Sequence, residues 1–380
     1  MTTITVKSVQ GLQNALNRAK AGDTIQLAPG TYNAFWIRDV HFSSAVTITS
    51  ANSADPAVLK GLSVHACSGL TFKDLKFCAV DTTSYFPFTV AGSSNIVLTG
   101  LGVYGDAAQL ATGKATGLLI RGSSNVTVSN SNFCNLMVGL GQINNNGLTI
   151  TNNSFHDLHI RGIDGGGSNN VVISYNTIHD IFPTPGGLHA DGIQFWTNAS
   201  NPDGSNIQII GNSIYRGDGL LFQGIFVRAD PKGAHPFSNV TITGNNLAGL
   251  DYDGIAVGGV NGLKVSNNIV ASYTDRTSEF LIDCSSNVTA TGNEASLFKF
   301  LACNGLTQSG NEMVLALPVS TADSMPSLAN LVVKGTLTNS AAVFAGALST
   351  LSAMSSSATS SSATASEQPL AQVVTAGSHA

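Results

Sequence analysis

The feature of this chain that most restricts its fold is a recurring asparagine. The segments NVTVSNSNF (from Asn125), GLTITNNSF (from Gly147), VVISYNTI (from Val171), IQIIGNSI (from Ile207), VTITGNNL (from Val240), LKVSNNIV (from Leu263) and VTATGNEA (from Val288) repeat one template. Each is a short alternating strand, then a small or polar residue, then Asn. The series Asn153, Asn176, Asn212, Asn245, Asn268, Asn293 and Asn311 has spacings of 23, 36, 33, 23, 25 and 18. A base period near 23 with short strands between turns is what one coil of a parallel β-helix requires. Alternate residues point into a solenoid core, and each coil pairs with those above and below. An Asn at a corner of each coil tolerates the left-handed conformation and can stack its amide on the next. A β-sandwich gives no reason for an Asn in register on every turn. The predicted class is therefore all-β, a right-handed parallel β-helix with an Asn ladder.

The ends of the chain agree with a capped solenoid. Ser8 opens SVQGLQNALNRAKAGD, where Leu12, Ala15, Leu16 and Ala19 lie on one stripe and Gly22 can terminate the element, which predicts a capping helix over about 8–21. Such a helix covers an open end whose edge strands otherwise invite association. The Asn pattern stops after Asn311, and Ser355–Ala365 is built only of Ser, Ala and Thr. The expected organisation is a β-helix domain over 1–314, an extension over 315–354 and a flexible Ser/Ala-rich tail over 355–380. A net charge of −5 gives no electrostatic footprint for nucleic acid, and no apolar run is long enough for a membrane span. Residues 1–10 lack the apolar core of a secretory signal. Cys67, Cys78, Cys134, Cys284 and Cys303 form no CxxC pair and read as small hydrophobes.

The helix, the opening GDTIQLAPGTY and the Asn-bearing coils together resemble the pectin-lyase-like right-handed β-helix proteins. Within that superfamily the chain looks most like the branch of chondroitinase B-like and alginate lyases and mannuronan C5-epimerases. The resemblance covers roughly residues 5–313. It implies a carbohydrate-active protein with a polysaccharide substrate, an extracellular or cell-envelope location, and calcium as the cation to consider. The fold also carries hydrolases and phage tailspikes. The Lys/Arg pair, the calcium-binding acids and the Asp-Pro-His element expected of that branch have no clear match here.

The chain departs from its own rule in two consecutive periods, 36 and 33 residues long. The surplus fits turn-forming loops at Phe182–Gly187, Asn201–Ser205 and Asp230–Pro236, and loops raised from neighbouring coils make the walls of a groove. Beside them one strand column reads TGLLIR, VGLGQI, RGIDGG, DGIQFW, QGIFVR and DGIAVG from Thr116 to Gly258. Alternation puts Ile163, Ile193, Ile225 and Ile255 inside, with Asp164 and Gln194 outward in one row and Trp196 and Arg228 in the next. Arg161, Asp191, Gln223 and Asp253 share the inward parity. They are expected to reach solvent because each strand begins at the following Gly, since a buried unpaired charge is costly. His159 and His189 stand two residues upstream on successive coils.

This polar cluster predicts chemistry on a glycan. β-Elimination or C5 epimerisation of a uronate needs a proton-transfer group, a cation to neutralise the carboxylate and an acid at the leaving oxygen. His189 suits the first role, Asp191 orients it or binds sugar, and Arg161 and Arg228 suit the second. His159, Asp164, Gln194, Trp196, Gln223, Tyr252 and Asp253 are the expected substrate contacts. Trp196 offers a flat face to a pyranose, and Tyr252 a phenolic acid. Two further readings stay open: an inverting glycoside hydrolase using Asp191 and Asp253, and a non-catalytic glycan-binding or tailspike-like solenoid. No metal ligand set is legible in the sequence.

Overall fold

The computed structural model describes residues 1–79, 86–105, 115–184, 189–202, 204–230, 234–320, 322, 324–328, 331 and 333–336. The tail expected over 355–380 lies outside the described residues, as do parts of the three expected loops, at 185–188, 203 and 231–233.

The chain winds into a parallel β-helix of three faces. One face is a 13-stranded parallel sheet running from Thr3–Val6 to Thr307–Ser309. The other two belong to a 22-stranded sheet. They are joined because Asn132–Ile143 and Ser154–Gly166, 12 and 13 residues long, turn the corner between them without a break. The inward columns are aliphatic and in register: Leu70, Ile96, Val126, Leu148, Val171, Ile207, Val240, Leu263 and Val288 follow one another up one face, all buried. This single core runs the length of the coils, so burial of apolar area is the main driving force.

The asparagines form a buried ladder. From Asn153 to Asn293, the backbone N–H and the Nδ2 of each donate to Oδ1 of the next Asn, at 2.9–3.1 Å. Each Nδ2 also donates to a strand carbonyl, Ile209 O in the case of Asn245. The amide's donors and acceptor are thereby all satisfied inside the molecule. The left-handed position is the residue before the ladder: Asn152, Tyr175, Gly211, Gly244, Asn267, Gly292 and Gly310 have φ between 54° and 65°. The ladder Asn is therefore selected for its amide, and its predecessor for the turn, which corrects the sequence reading.

A second ladder at another corner was not legible. Cys67 N–H donates to Ser93 Oγ, Ser93 N–H to Ser123 Oγ, Ser123 N–H to Asn145 Oδ1 and Asn145 N–H to Ser168 Oγ, at 2.9–3.1 Å. Ser, Cys and Asn share this task, so no single letter recurs.

The N-terminal cap is an α-helix over Val9–Leu16, with Ser8 Oγ accepting from Gly11 N–H and Leu12, Ala15 and Leu16 buried. It is shorter than the 8–21 predicted. Asn17 caps it, and the Asp23 carboxylate then takes the N–H groups of Lys20 and Thr2, fixing the chain in turns. At the other end Val333–Thr336 pairs antiparallel with Glu312–Val314 and covers that edge of the larger sheet.

Candidate functional site

The predicted column is one face of the larger sheet. Arg161 pairs with Asp191, and Asp191 with Gln223; Ile163, Ile193, Ile225 and Ile255 follow inside. The outward rows are also as read: Asp164, Gln194, Phe226 and Ala256 in one, Gly166, Trp196, Arg228 and Gly258 in the other.

Two charged residues of the inward row, Arg161 and Asp191, are not at the surface. The strand Ser154–Gly166 runs unbroken through Arg161, and Asp191 itself opens the next strand, so neither is lifted out by the following Gly. Asp191 is wholly buried and Arg161 nearly so. Their charge is tolerated because they pair: Arg161 Nε lies 3.4 Å from Asp191 Oδ2, and Nη1 3.3 Å from Asp164 Oδ2. Asp164 is wholly buried as well and accepts from Trp196 Nε1 at 3.2 Å. Burial pushes its carboxyl above the usual range, against the pull of Arg161. Trp196 is thus a packed residue, seated on Phe86, Leu119 and Ile143, rather than an open platform.

His189 sits at the edge of this network. Its Nδ1 is 3.0 Å from Asp191 Oδ2, its side chain is 30% exposed, and its ring tilts against Phe226 at 5.1 Å. An ionised carboxylate only accepts, so Nδ1 carries the proton and Nε2 is the basic nitrogen. One coil further, Arg228 is 36% exposed; it gives Nη1 to Asp283 at 3.1 Å and lies 5.6 Å from the Phe226 ring. Arg228 and His189 thus both lie against the Phe226 ring, and Asp283 ties the guanidinium, two supports the sequence reading missed.

Asp253 lies in line with Asp191 two rungs on, about 9–10 Å along the axis. Its carboxyl is pushed up by burial and then by the neighbouring Glu279, while Arg228 pulls it down. Glu279 is itself tied to Lys299 at 2.7 Å. Gln223 stands between the two aspartates in the column, its buried Oε1 without a partner. Gln194 is buried between Asp164 and Phe226. Tyr252 is 55% exposed with the Arg276 guanidinium 3.6 Å above its ring. His159 donates Nδ1–H to Phe182 O at 3.3 Å, and its buried Nε2 has no partner.

The inserted loops leave the coils without disturbing register, since the ladder steps across them, Asn176 to Asn212 and Asn212 to Asn245, keep the same geometry. Thr197 holds the Asp230–Pro236 loop at both ends, accepting from Asp230 N–H and donating to His235 O. Among the described residues no three His, Cys, Asp or Glu side chains form a metal site. Asp164, Asp191, Asp283 and Glu279 are each paired with a cationic side chain or a histidine, Arg161, His189, Arg228 and Lys299. Nor is any helix among them long and apolar enough to cross a membrane.

An alginate lyase from Paenibacillus sp. str. FPU-7 superposes with a TM-score of 0.50 at 18% identity, over 82% of this chain and 99% of its own. The A-module of a mannuronan C-5 epimerase from Azotobacter vinelandii does so with a TM-score of 0.53 at 15% identity, over 82% and 94%. At such identities the likeness is one of fold. No curated protein matches the chain in sequence. The family profile described as the right handed beta helix region matches residues 40–235, more than half of the 380 residues, and the chain belongs to that family.

Proposed function

We propose that this protein acts on a uronate-containing polysaccharide, as a β-eliminating lyase or a C5-epimerase. The observation that carries the reading is the pair of His189 and Asp191: a partly exposed imidazole whose Nδ1 is fixed by a buried carboxylate. In this reading Nε2 of His189 takes the proton beside the uronate carboxylate. Arg228 bonds that carboxylate as charge develops, since Asp283 occupies only one of its donors. Asp253, kept protonated to higher pH by burial and Glu279, returns a proton. Delivered to the glycosidic oxygen as the bond breaks, that proton completes elimination; delivered to the opposite face of the same carbon, it completes epimerisation. Arg161, itself held by Asp164, fixes Asp191 in place, and Tyr252 and Gln223 border the acid. A substrate of this kind lies outside the cytoplasmic membrane, so the reading carries an extracellular or envelope location with it.

The wholly buried Asp191 is poorly placed to activate water, so a hydrolytic pair with Asp253 has less support. The test is a panel of acidic and neutral polysaccharides. An unsaturated uronate chromophore supports elimination, and a change of uronate configuration in proton NMR of the intact polymer supports epimerisation. New reducing ends without the chromophore, or no change on any polymer, would overturn the reading.

A further inference from the structure

The row that carries Arg228 does not begin at the site. Register runs unbroken from Arg38 to His65, Ala91, Arg121, Ile143, Gly166, Trp196 and Arg228. The adjoining outward row begins at Trp36 and passes through Ser63, Thr89 and Leu119. On the first coils these rows bear an unusual group. Trp36 is 63% exposed, Arg38 and His65 are exposed near it, and Arg121 is exposed three rungs further on. Arg161, Arg216, Arg228 and Arg276 are each paired with an aspartate. Among the described residues Arg38 and Arg121 have no ion-pair partner, Asp39 being the next residue at the corner. Arg38 lies 5.9 Å from the Trp36 ring.

A large exposed indole beside one unpaired guanidinium, with a second three rungs along the same face, has no structural role in the coils, whose core lies on the opposite side of the strand. Its chemistry matches a sugar ring on the indole and carboxylates on the forks. At about 4.8 Å per rung, Arg38 and Arg121 are about 14 Å apart, and Arg121 is about 19 Å from Arg228. Between them along the face lies the buried cluster of Phe86, Leu119 and Ile143 on which Trp196 packs.

We propose that the outer face of the N-terminal coils is a second glycan-binding patch. Trp36 stacks on a ring, and Arg38, His65 and Arg121 bind carboxylates, of the polyuronate whose other segment His189 acts on. The inference rests on the proposed function for the identity of that polymer. It makes the protein a binder of long chains that grips the substrate at two places along one face.

The chain has two tryptophans, so Trp196→Phe leaves Trp36 as the only indole emitter. Should that variant fold poorly, the difference between wild type and Trp36→Phe isolates the same signal. The probes are long-chain sodium alginate, sodium polygalacturonate and neutral dextran. Trp36 emission is expected to shift with a polyuronate and not with dextran. The double variant Arg38→Ala/Arg121→Ala is expected to weaken that response about tenfold or more. The patch should respond equally in His189→Ala, where turnover is lost. Emission indifferent to both polyuronates, or a response unchanged by the double variant, overturns the proposal. So does emission that varies with protein concentration alone, which would mean a second copy covers the patch. Response without turnover of any uronate supports the patch while sinking the catalytic reading; turnover without response does the reverse.

Discussion

Two positions apart in sequence, His189 and Asp191 stand 3.0 Å apart from Nδ1 to Oδ2, tying a partly exposed imidazole to a carboxylate that touches no solvent. The same carboxylate neutralises the buried Arg161. Chemistry and stability therefore meet at Asp191 and separate at His189. His189→Ala is expected to lower turnover about 10²–10⁴-fold with the denaturation midpoint nearly unchanged. Asp191→Asn is expected to lose turnover and also about 3 kcal/mol of stability, because a buried guanidinium loses a partner. Equilibrium unfolding of both variants decides; an Asp191→Asn protein as stable as wild type contradicts the arrangement.

The carboxyl of Asp253 titrates above the ordinary 3.8 in the folded chain, through burial and the charge of Glu279. Above 3.8 the unfolded chain gives up this proton first, so the folded state binds more protons and stability falls as pH rises through the folded value. Asp253→Asn removes that loss. The variant should be more stable than wild type above this window, with the gain shrinking toward zero at lower pH. Denaturant midpoints across a pH series measure it, and a gain that grows on acidification would reverse the sign.

Gln142 points into the core, in register with Ile120 and Gly165, and its Oε1 and Nε2 are buried without partners. An amide left unsatisfied in an apolar core costs about 1–3 kcal/mol. Gln142→Met, similar in volume and shape, should raise the unfolding midpoint by a matching amount; a lower midpoint would mean the amide is satisfied.

Asn245 accepts two hydrogen bonds from Asn212 and donates to Asn268 and Ile209. Asn245→Ala strands the Asn212 backbone N–H and amide in the interior, with an expected loss of roughly 1–3 kcal/mol. Asn206, on the exposed corner, makes side-chain bonds of similar length to Asn170 and Asn239. Asn206→Ala should cost far less, since water replaces its partners. Comparable losses at both positions would argue against burial as the deciding factor.

Because no three His, Cys, Asp or Glu side chains converge among the described residues, chelation should leave turnover and thermal midpoint unchanged. Assaying with excess EDTA, then with added calcium, tests this; restoration by calcium alone would require a donor set other than the one described.

The coil repeat was legible because both of its requirements are one-letter requirements: an amide that can give and take two bonds, and aliphatic residues at period two. The second ladder was hidden because Ser93, Ser123, Asn145 and Ser168 meet the same need with different side chains. At the site, the sequence located the column and its rows but misjudged depth. Strand parity predicted that Asp191 points inward, and the cost of buried charge argued against it. What decided the matter was Arg161, one coil away and 30 residues earlier, a pairing that only the register reveals. Asp283 and Glu279, which hold Arg228 and lift Asp253, come from a later coil and carried no local signal.

The Asn ladder also governs how such a protein can change over generations. Every step hands an amide to the following coil across 18 to 36 residues, with no half-step available. Losing or duplicating an entire coil rejoins each amide to an equivalent neighbour, whereas deleting one residue from a strand throws its whole coil out of phase. Length variation among descendants is thus quantised in turns, and only the loops are free to vary by single residues. The Asn176–Asn212 and Asn212–Asn245 coils, whose loops absorbed their surplus outside the ladder, record that freedom.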